Sequence, residues 1–405
     1  MRSTPTRSLP AIATHLSARL LLVVSLAAGS VVLDPDSSAS AGQAPRSTSG
    51  LLAIATGTAD AARFTGYGYV VLNAWEFRKI PRIKRASPGV RVLVYKDISS
   101  TRSYACQGVD DPLLPTGVGF CWAKRHAPRW FLRDGSGRKI EWEGYPEHWW
   151  MDVGRRGYQR RWARNVIAQA RRKGFDGVMA DNAIVDPRYY LPDGRSIQRY
   201  PTERAYRDAT RRFLARVGPR VRRAGLRFIP NIGGADASPK LLRRWSRYTS
   251  GFLREFWARY GWSGAPFGGW AWERQIAQMR AVQRRGKAFL AVTYGGRSDV
   301  RLMRYARASF LLIWSGGASS LFYRTSGQTD PWNRNWTRAI GSPRAPRFRV
   351  GPLWRRNFGH GTVVVNPSGR RAHISLGRVY LTEGGARIRS ITLRPASGVV
   401  LRTPA

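Results

Sequence analysis

Between residues 61 and 344, short apolar runs alternate with longer Arg-rich stretches in which apolar side chains recur every three to four positions. Apolar runs bounded by turn residues read as buried strands, and the 3.6-residue spacing reads as helices laid against them. The strands expected are Gly68–Trp75, Val90–Asp97, His148–Val153, Phe175–Asp181, Leu226–Asn231, Gly251–Trp257, Ala288–Tyr294 and Ser309–Ser315. Tyr158–Lys173 carries Trp162, Val166, Ile167 and Ala170 near a helical period, and Pro201–Ala224 and Trp270–Arg285 read the same way. A long irregular insert, roughly 98–147, precedes the third strand. Eight such strand–helix units predict an α/β fold, a (β/α)8 TIM barrel over 61–344.

Past about residue 345 the period shortens. Thr362–Val365, His373–Leu376, Val379–Thr382, Ile388–Leu393 and Val399–Arg402 read as short strands separated by turns such as Asn366-Pro367-Ser368-Gly369 and Glu383-Gly384-Gly385. Residues 345–405 are therefore expected to form a small C-terminal antiparallel β-domain of sandwich-like type. At the other end, Arg2, Arg7 and Arg19 precede an apolar run from Leu20 to Leu33, and Ala39-Ser40-Ala41 follows as a small-residue cleavage pattern. The run is shorter than the roughly 20 residues of a membrane span, so 1–41 reads as a signal peptide, with an uncleaved anchor as the alternative. The mature chain is expected outside the cell or in its envelope. Residues 42–60, rich in small and polar residues, read as a linker.

Two cysteines, Cys106 and Cys121, occur in the insert. In an exported chain a lone close pair reads as a disulfide, stabilising by about 3 kcal/mol on the chain-entropy model. The formal net charge is +45, with 69 Lys and Arg against 24 Asp and Glu. The Arg residues are spread along the chain without a basic tail, so a solvated surface is the default reading. The alternative is a polyanion partner such as an anionic glycan or nucleic acid. Neither a phosphate-binding glycine loop nor a nucleophile elbow is present, and the five His residues lack metal spacing; no cofactor or metal is expected.

Catalytic groups of such barrels sit at the C-terminal ends of the strands. Of the 24 acidic residues, Glu76, Asp97, Asp152, Asp181 and Glu255 fall there. Alternation puts Gly177, Met179 and Asp181 on one face of the fourth strand, and Leu253, Glu255 and Trp257 on one face of the sixth. Two opposed carboxylates are the minimum needed to cleave a glycosidic bond, so Asp181 is expected as nucleophile or base and Glu255 as acid/base. An N-cap role for Asp181 and an Arg pair for Glu255 are the structural alternatives. Asp97 and Asp152 could orient hydroxyls or bond local backbone, and Glu76 reads as structural. Asn73, Trp75, Tyr95, Asn231, Trp257 and Tyr294 complete the expected substrate-binding set, the aromatics as amphipathic platforms for sugar rings.

Four segments carry a family resemblance. They are Leu72-Asn73-Ala74-Trp75-Glu76, Tyr95-Lys96-Asp97-Ile98-Ser99-Ser100-Thr101-Arg102, Trp150-Met151-Asp152-Val153-Gly154 and Phe175-Asp176-Gly177-Val178-Met179-Ala180-Asp181-Asn182. Together they resemble glycoside-hydrolase-like family 15 over about 64–325. The resemblance implies a glycosidase barrel. The acids on strands four and six also look like the α-galactosidase clan, which implies nucleophile and acid/base roles for Asp181 and Glu255. The chitinase strand-four motif is not met, since Met179 and Ala183 stand where that motif has acids. The expected function is a secreted hydrolase of an extracellular polysaccharide. A barrel that binds carbohydrate or an anionic polymer without turnover is the alternative.

Overall fold

The computed structural model describes residues 52–54, 67–232, 237–315, 319–324 and 340–404. The segment read as a signal peptide lies outside them. The chain opens with parallel strands β1 (Leu52–Ile54), β2 (Tyr69–Leu72) and β3 (Arg91–Asp97), with helix α1 (Ile80–Ala86) before β3. The insert then carries β4 (Ser100–Arg102), β5 (Cys106–Gln107), β6 (Val109–Asp110), α2 (Phe120–His126), β7 (Glu141–Trp142) and β8 (Tyr145–Trp150). Strand–helix alternation resumes with α3 (Arg156–Arg172), β9 (Gly177–Asp181), α4 (Glu203–Arg223), β10 (Arg227–Pro230), α5 (Pro239–Trp245), β11 (Gly251–Arg254), α6 (Gly269–Gln283), β12 (Ala288–Tyr294), α7 (Val300–Leu311) and β13 (Ser320–Arg324).

Among the described residues, eight strands are parallel. They form sheets ordered β1-β2-β3-β9-β10 and β11-β12-β13, joined by a parallel bridge between Asn231 and Leu253. Every second residue points to a common interior: Tyr69, Val71, Leu93, Met179, Ile229, Leu253, Leu290, Val292 and Phe322 form one apolar cluster. The opposite faces pack under the helices, with Val94, Val178, Phe228 and Phe289 among Trp162, Phe213 and Phe310. Gly177 and Gly251 mark close strand approaches, because a Cβ at either would lie 2.6 or 2.3 Å from a carbonyl oxygen of the neighbouring strand.

Two expected strands are corrected. His148–Val153 does not join the parallel series. Its first part belongs to β8, which pairs antiparallel with β4 and β7 inside the insert, and Glu147 interrupts alternation with φ 62°. Ser309–Ser315 begins as the end of helix α7, and the eighth parallel strand is β13. Arg301 and Arg304 are exposed at the start of α7, but every residue from Tyr305 to Leu311 is buried. A Cβ at Gly398 of the C-terminal sheet would lie 2.7 Å from the Ala308 Cβ, and Arg356 donates to the Leu311 and Trp314 carbonyls at 3.1 and 2.7 Å. A short apolar run of this kind has no period that separates strand from buried helix. The stretch read as a linker holds β1, which pairs with β2.

Beyond the parallel strands lie β14 (Phe348–Val350), β15 (Leu353–Phe358), β16 (Gly361–Asn366), β17 (Ala372–Leu381), β18 (Arg387–Leu393) and β19 (Ser397–Arg402). They make one antiparallel sheet ordered β14-β15-β16-β19-β17-β18. Cys106 and Cys121 are bridged, with Cα atoms 5.3 Å apart, which ties β5 to α2.

The insert is anchored on β3 by a buried cation. The Lys96 side chain is 1% exposed and its ammonium donates to the Leu114 carbonyl. Burial pushes this lysine down to about 7 from its ordinary 10.5. Between those values the unfolded chain binds more protons than the folded one, so stability rises with pH across that window. Below about 7 the cost of the buried charge is fully present. Lys96→Met is therefore expected to raise the melting temperature by a few degrees at pH 6, with the gain shrinking towards pH 10. Thermal unfolding of both proteins at the two pH values checks this.

Candidate active site

The interior face of β9 ends in Asp181, one strand-length above Gly177 and Met179, and the side chain is 6% exposed. Two neutral donors hold it. The Tyr95 hydroxyl, from β3, donates to Oδ2 at 2.7 Å, and Asn231 Nδ2, just past β10, donates to Oδ1 at 2.8 Å. Among the described residues no cation pairs with it. Burial, then Glu255, then Asp97 push its carboxyl up to about 7, against the two hydrogen bonds that favour the anion. Tyr95 is itself pushed well above the ordinary tyrosine range by burial and by the Asp181 and Asp97 charges, so it stays a donor.

Glu255 follows β11 and is half-buried. It accepts a hydrogen bond from the Tyr294 hydroxyl, at the end of β12, at 2.7 Å. Each carboxylate therefore receives a tyrosine hydroxyl from a neighbouring strand. Phe256 and Trp262 crowd the Tyr294 ring, with centroids 5.8 and 4.9 Å away. Tyr190 is pushed up by burial and then by the charge of Glu255, which puts its ring within electrostatic reach of that carboxylate. No sequence pattern pointed to Tyr190, which sits in a short turn of helix after β9.

Asp97 lies opposite Asp181 in the β3–β9 register but is wholly buried. Its oxygens accept from Ser99 N, Ser100 N, Ser100 Oγ, Arg102 and Asn182 Nδ2, the last two at 2.9 and 2.7 Å. Burial raises this carboxyl, but Arg102 and the hydroxyl and amide donors win, and it is held below its ordinary value. Asp97 is thus occupied by protein and buttresses Asn182, which takes a left-handed backbone with φ 58°. Asn182 was not among the expected residues, although an Asn directly after a strand-end Asp suits such a conformation.

The other expected positions divide. Trp75 is 41% exposed on the turn after β2. Asn73 is buried, and its backbone N–H and side-chain amide donate to Glu76 at 2.9 and 3.3 Å, so it caps that turn rather than facing a ligand. Asp152 belongs to the loop before α3; it accepts from Tyr200 and pairs with Arg155 and Arg199 at 3.0 and 2.7 Å. Trp257 is not a platform. Phe256 and Ala258 both have φ 62°, which ends alternation after Glu255 and turns Trp257 to the outside of the sheet. There it is 1% exposed, donates to the Ala306 carbonyl at 3.0 Å and meets Phe289 and Phe310 edge-on. Tyr294 is 1% exposed, so it offers its hydroxyl rather than a ring face. Cys106, Asp110 and Cys121 cluster, but the two sulfurs are bonded to each other and Asp110 accepts from the Cys121 and Trp122 N–H groups, so they do not form a metal centre.

The ends of β9 and β11, with β10 between them, thus carry the two acids Asp181 and Glu255 on one face. The chain belongs to hypothetical glycosyl hydrolase family 15, whose model matches residues 84–362. No curated protein sequence matches it. Among solved structures, it resembles Amy13B of Eubacterium rectale at 8% identity and a TM-score of 0.50, covering 89% of this chain and 96% of that one. The glycoside hydrolase domain of PelA from Pseudomonas aeruginosa is similar at 16% identity and a TM-score of 0.43, over 67% and 98%. Ega3 of Aspergillus fumigatus, solved with galactosamine, is similar at 12% identity and a TM-score of 0.42, over 73% and 98%. At these identities the likeness is one of fold. No helix among the described residues is long and apolar enough to cross a membrane.

The causes of the Asp181 shift give a direct test. Tyr95→Phe removes an anion-stabilising donor and should move the Asp181 titration above about 7; Glu255→Gln removes a neighbouring charge and should move it below. Carbon-13 NMR of aspartate carboxyls across pH 4–9 reads both, and equal titration in all three proteins would show that the side chain is solvated.

Proposed function

We propose that this protein is a secreted glycoside hydrolase that cleaves an extracellular polysaccharide with Asp181 and Glu255, on a closed (β/α)8 barrel spanning 61–344 and followed by a separate β-domain over 345–405. The observation that carries the reading is the pair itself. Two carboxylates from β9 and β11 feel each other's charge, each takes a tyrosine hydroxyl, and the buried one is held up to about 7. Acid and base work at a glycosidic bond needs two carboxyl groups whose surroundings set them apart. Family membership supports the same class.

In this reading Glu255 delivers a proton to the leaving glycosidic oxygen. Asp181 attacks the anomeric carbon, or takes a proton from the water that does, and water supplies the hydroxyl that completes the sugar. Asp181 must be ionised to play either part, so the proton that burial and the Glu255 charge hold on it has to leave first. Asn231 is the substrate contact best supported by its surroundings. Its Oδ1 is buried without a hydrogen-bond partner while its Nδ2 is committed to Asp181, which leaves an acceptor for a sugar hydroxyl. Trp75 serves as an outer platform and Tyr95 as the group that orients Asp181.

Release of reducing ends from neutral, amino and acidic polysaccharides tests the proposal. Asp181→Asn and Glu255→Gln should each lower turnover by at least about a thousandfold while melting stays cooperative. The rate should rise with pH through about 7, as Asp181 ionises and becomes able to attack or to take a proton. Binding of a glycan with no turnover by the unaltered protein would mean a barrel that binds without cleaving.

A further inference from the structure

The inner faces of α3 and α4 pack together, with Trp162 and Tyr158 against Phe213 at 5.3 and 6.2 Å between ring centroids. Their outer faces carry two aligned rows of arginine, namely Arg156, Arg160 and Arg164 on α3 and Arg212, Arg216 and Arg220 on α4. Four-residue spacing puts successive members about 6 Å apart along each helix. Arg156, Arg160, Arg164 and Arg212 are exposed, and Arg216 and Arg220 are half-buried. Arg216 donates to Gln159 Oε1 at 3.0 Å, which brings the two rows side by side.

Among the described residues, no acidic residue pairs with these rows. Alpha3 contains no Asp or Glu. The two acids of α4, Glu203 and Asp208, lie in its first turns and pair with Arg207 and Arg211 at 2.5 and 3.4 Å. Like charges at this spacing repel, and the charges of Arg156, Arg220 and Arg160 add to burial in holding Arg216 below its ordinary value. A linear polyanion laid along the rows would relieve that repulsion and release its own counterions.

We infer that the α3–α4 face binds a linear acidic polysaccharide. The rings of Tyr158, Trp162, Tyr206 and Phe213 are all buried, so neither helix offers a face on which a nucleic-acid base could stack. Membership of a glycosyl hydrolase family favours a glycan as the polymer. The surface does not depend on the catalytic assignment.

Fluorescence anisotropy with labelled polygalacturonate, between 50 and 200 mM salt, tests the inference. One variant replaces Arg156, Arg160, Arg164 and Arg212 by Gln; a control replaces the exposed Arg371, Arg378, Arg387 and Arg389 of the C-terminal sheet. Both should melt as the unaltered protein does. The helix variant should bind at least about tenfold more weakly and lose about three units of the log–log salt slope, while the control keeps both. Equal losses in the two variants would mean diffuse charge and overturn the inference. Tighter binding of a double-stranded DNA fragment than of polygalacturonate at the same salt would overturn it in favour of nucleic acid.

Discussion

The buried carboxylate of Asp97 is the constraint on which the upper part of the fold depends. A charge with no exposure is tolerated only when every oxygen is engaged, and here the engaging groups come from different parts of the chain. Ser99, Ser100 and Arg102 fix the root of the insert, and Asn182 fixes the exit from β9. The neighbouring backbone adds to the same knot: the Asp97 carbonyl accepts from Trp162 Nε1 on α3 at 2.9 Å, and Ile98 N donates to the Asp181 carbonyl at 3.1 Å. Removing one partner would leave a buried charge uncompensated, so insert, helix and strand end hold their places together.

The same register pair shows how environment divides two like groups. Asp97 and Asp181 face each other across β3 and β9. One is held below its ordinary value by an arginine and hydroxyl donors; the other, given only a tyrosine and an amide, is raised to about 7. In a chain with 69 basic residues, keeping cations away from Asp181 is a specific arrangement. Arg102, whose charge lies in the same cluster, is spent on Asp97. What separates the two carboxylates is therefore the donors each is given and the Glu255 charge beside Asp181.

Much of this was legible in the chain, and the failures have separate local causes. Alternation within β9 and β11 correctly put Asp181 and Glu255 on the faces of Met179 and Leu253, because both side chains are still in or next to the strand. It failed at Trp257, where two left-handed residues end the pleat. It failed again at Ser309–Ser315, where burial on both sides removed the polar face that would have marked a helix. The strand order survived because the errors offset each other. A false strand at His148–Val153 replaced the short β1, which lies in the stretch read as linker, so β9 and β11 remained fourth and sixth in the series. Roles were less legible than positions. The three-residue spacing of Asn73 and Glu76 fits a capping box, whereas nothing in the sequence tells that Asp97 is already taken by Arg102.

Charge of opposite sign is left uncompensated in two places, and the fold explains both. Inside the strands, the neighbours of Asp181 are apolar side chains, the neutral Tyr95 and Asn231 and the acids Asp97 and Glu255, and bringing an arginine there would require burying it too. Outside, the arginine rows of α3 and α4 lack acids because an exposed guanidinium is hydrated and needs no partner to be tolerated. Solvent can thus satisfy the outer charges at little cost, whereas the inner one can be relieved only by a proton or a bound group. A lone buried carboxylate is the more telling of the two: composition alone can produce an arginine-rich surface, but a neutral-donor cage around one aspartate must be assembled from β3, β9 and the end of β10 together.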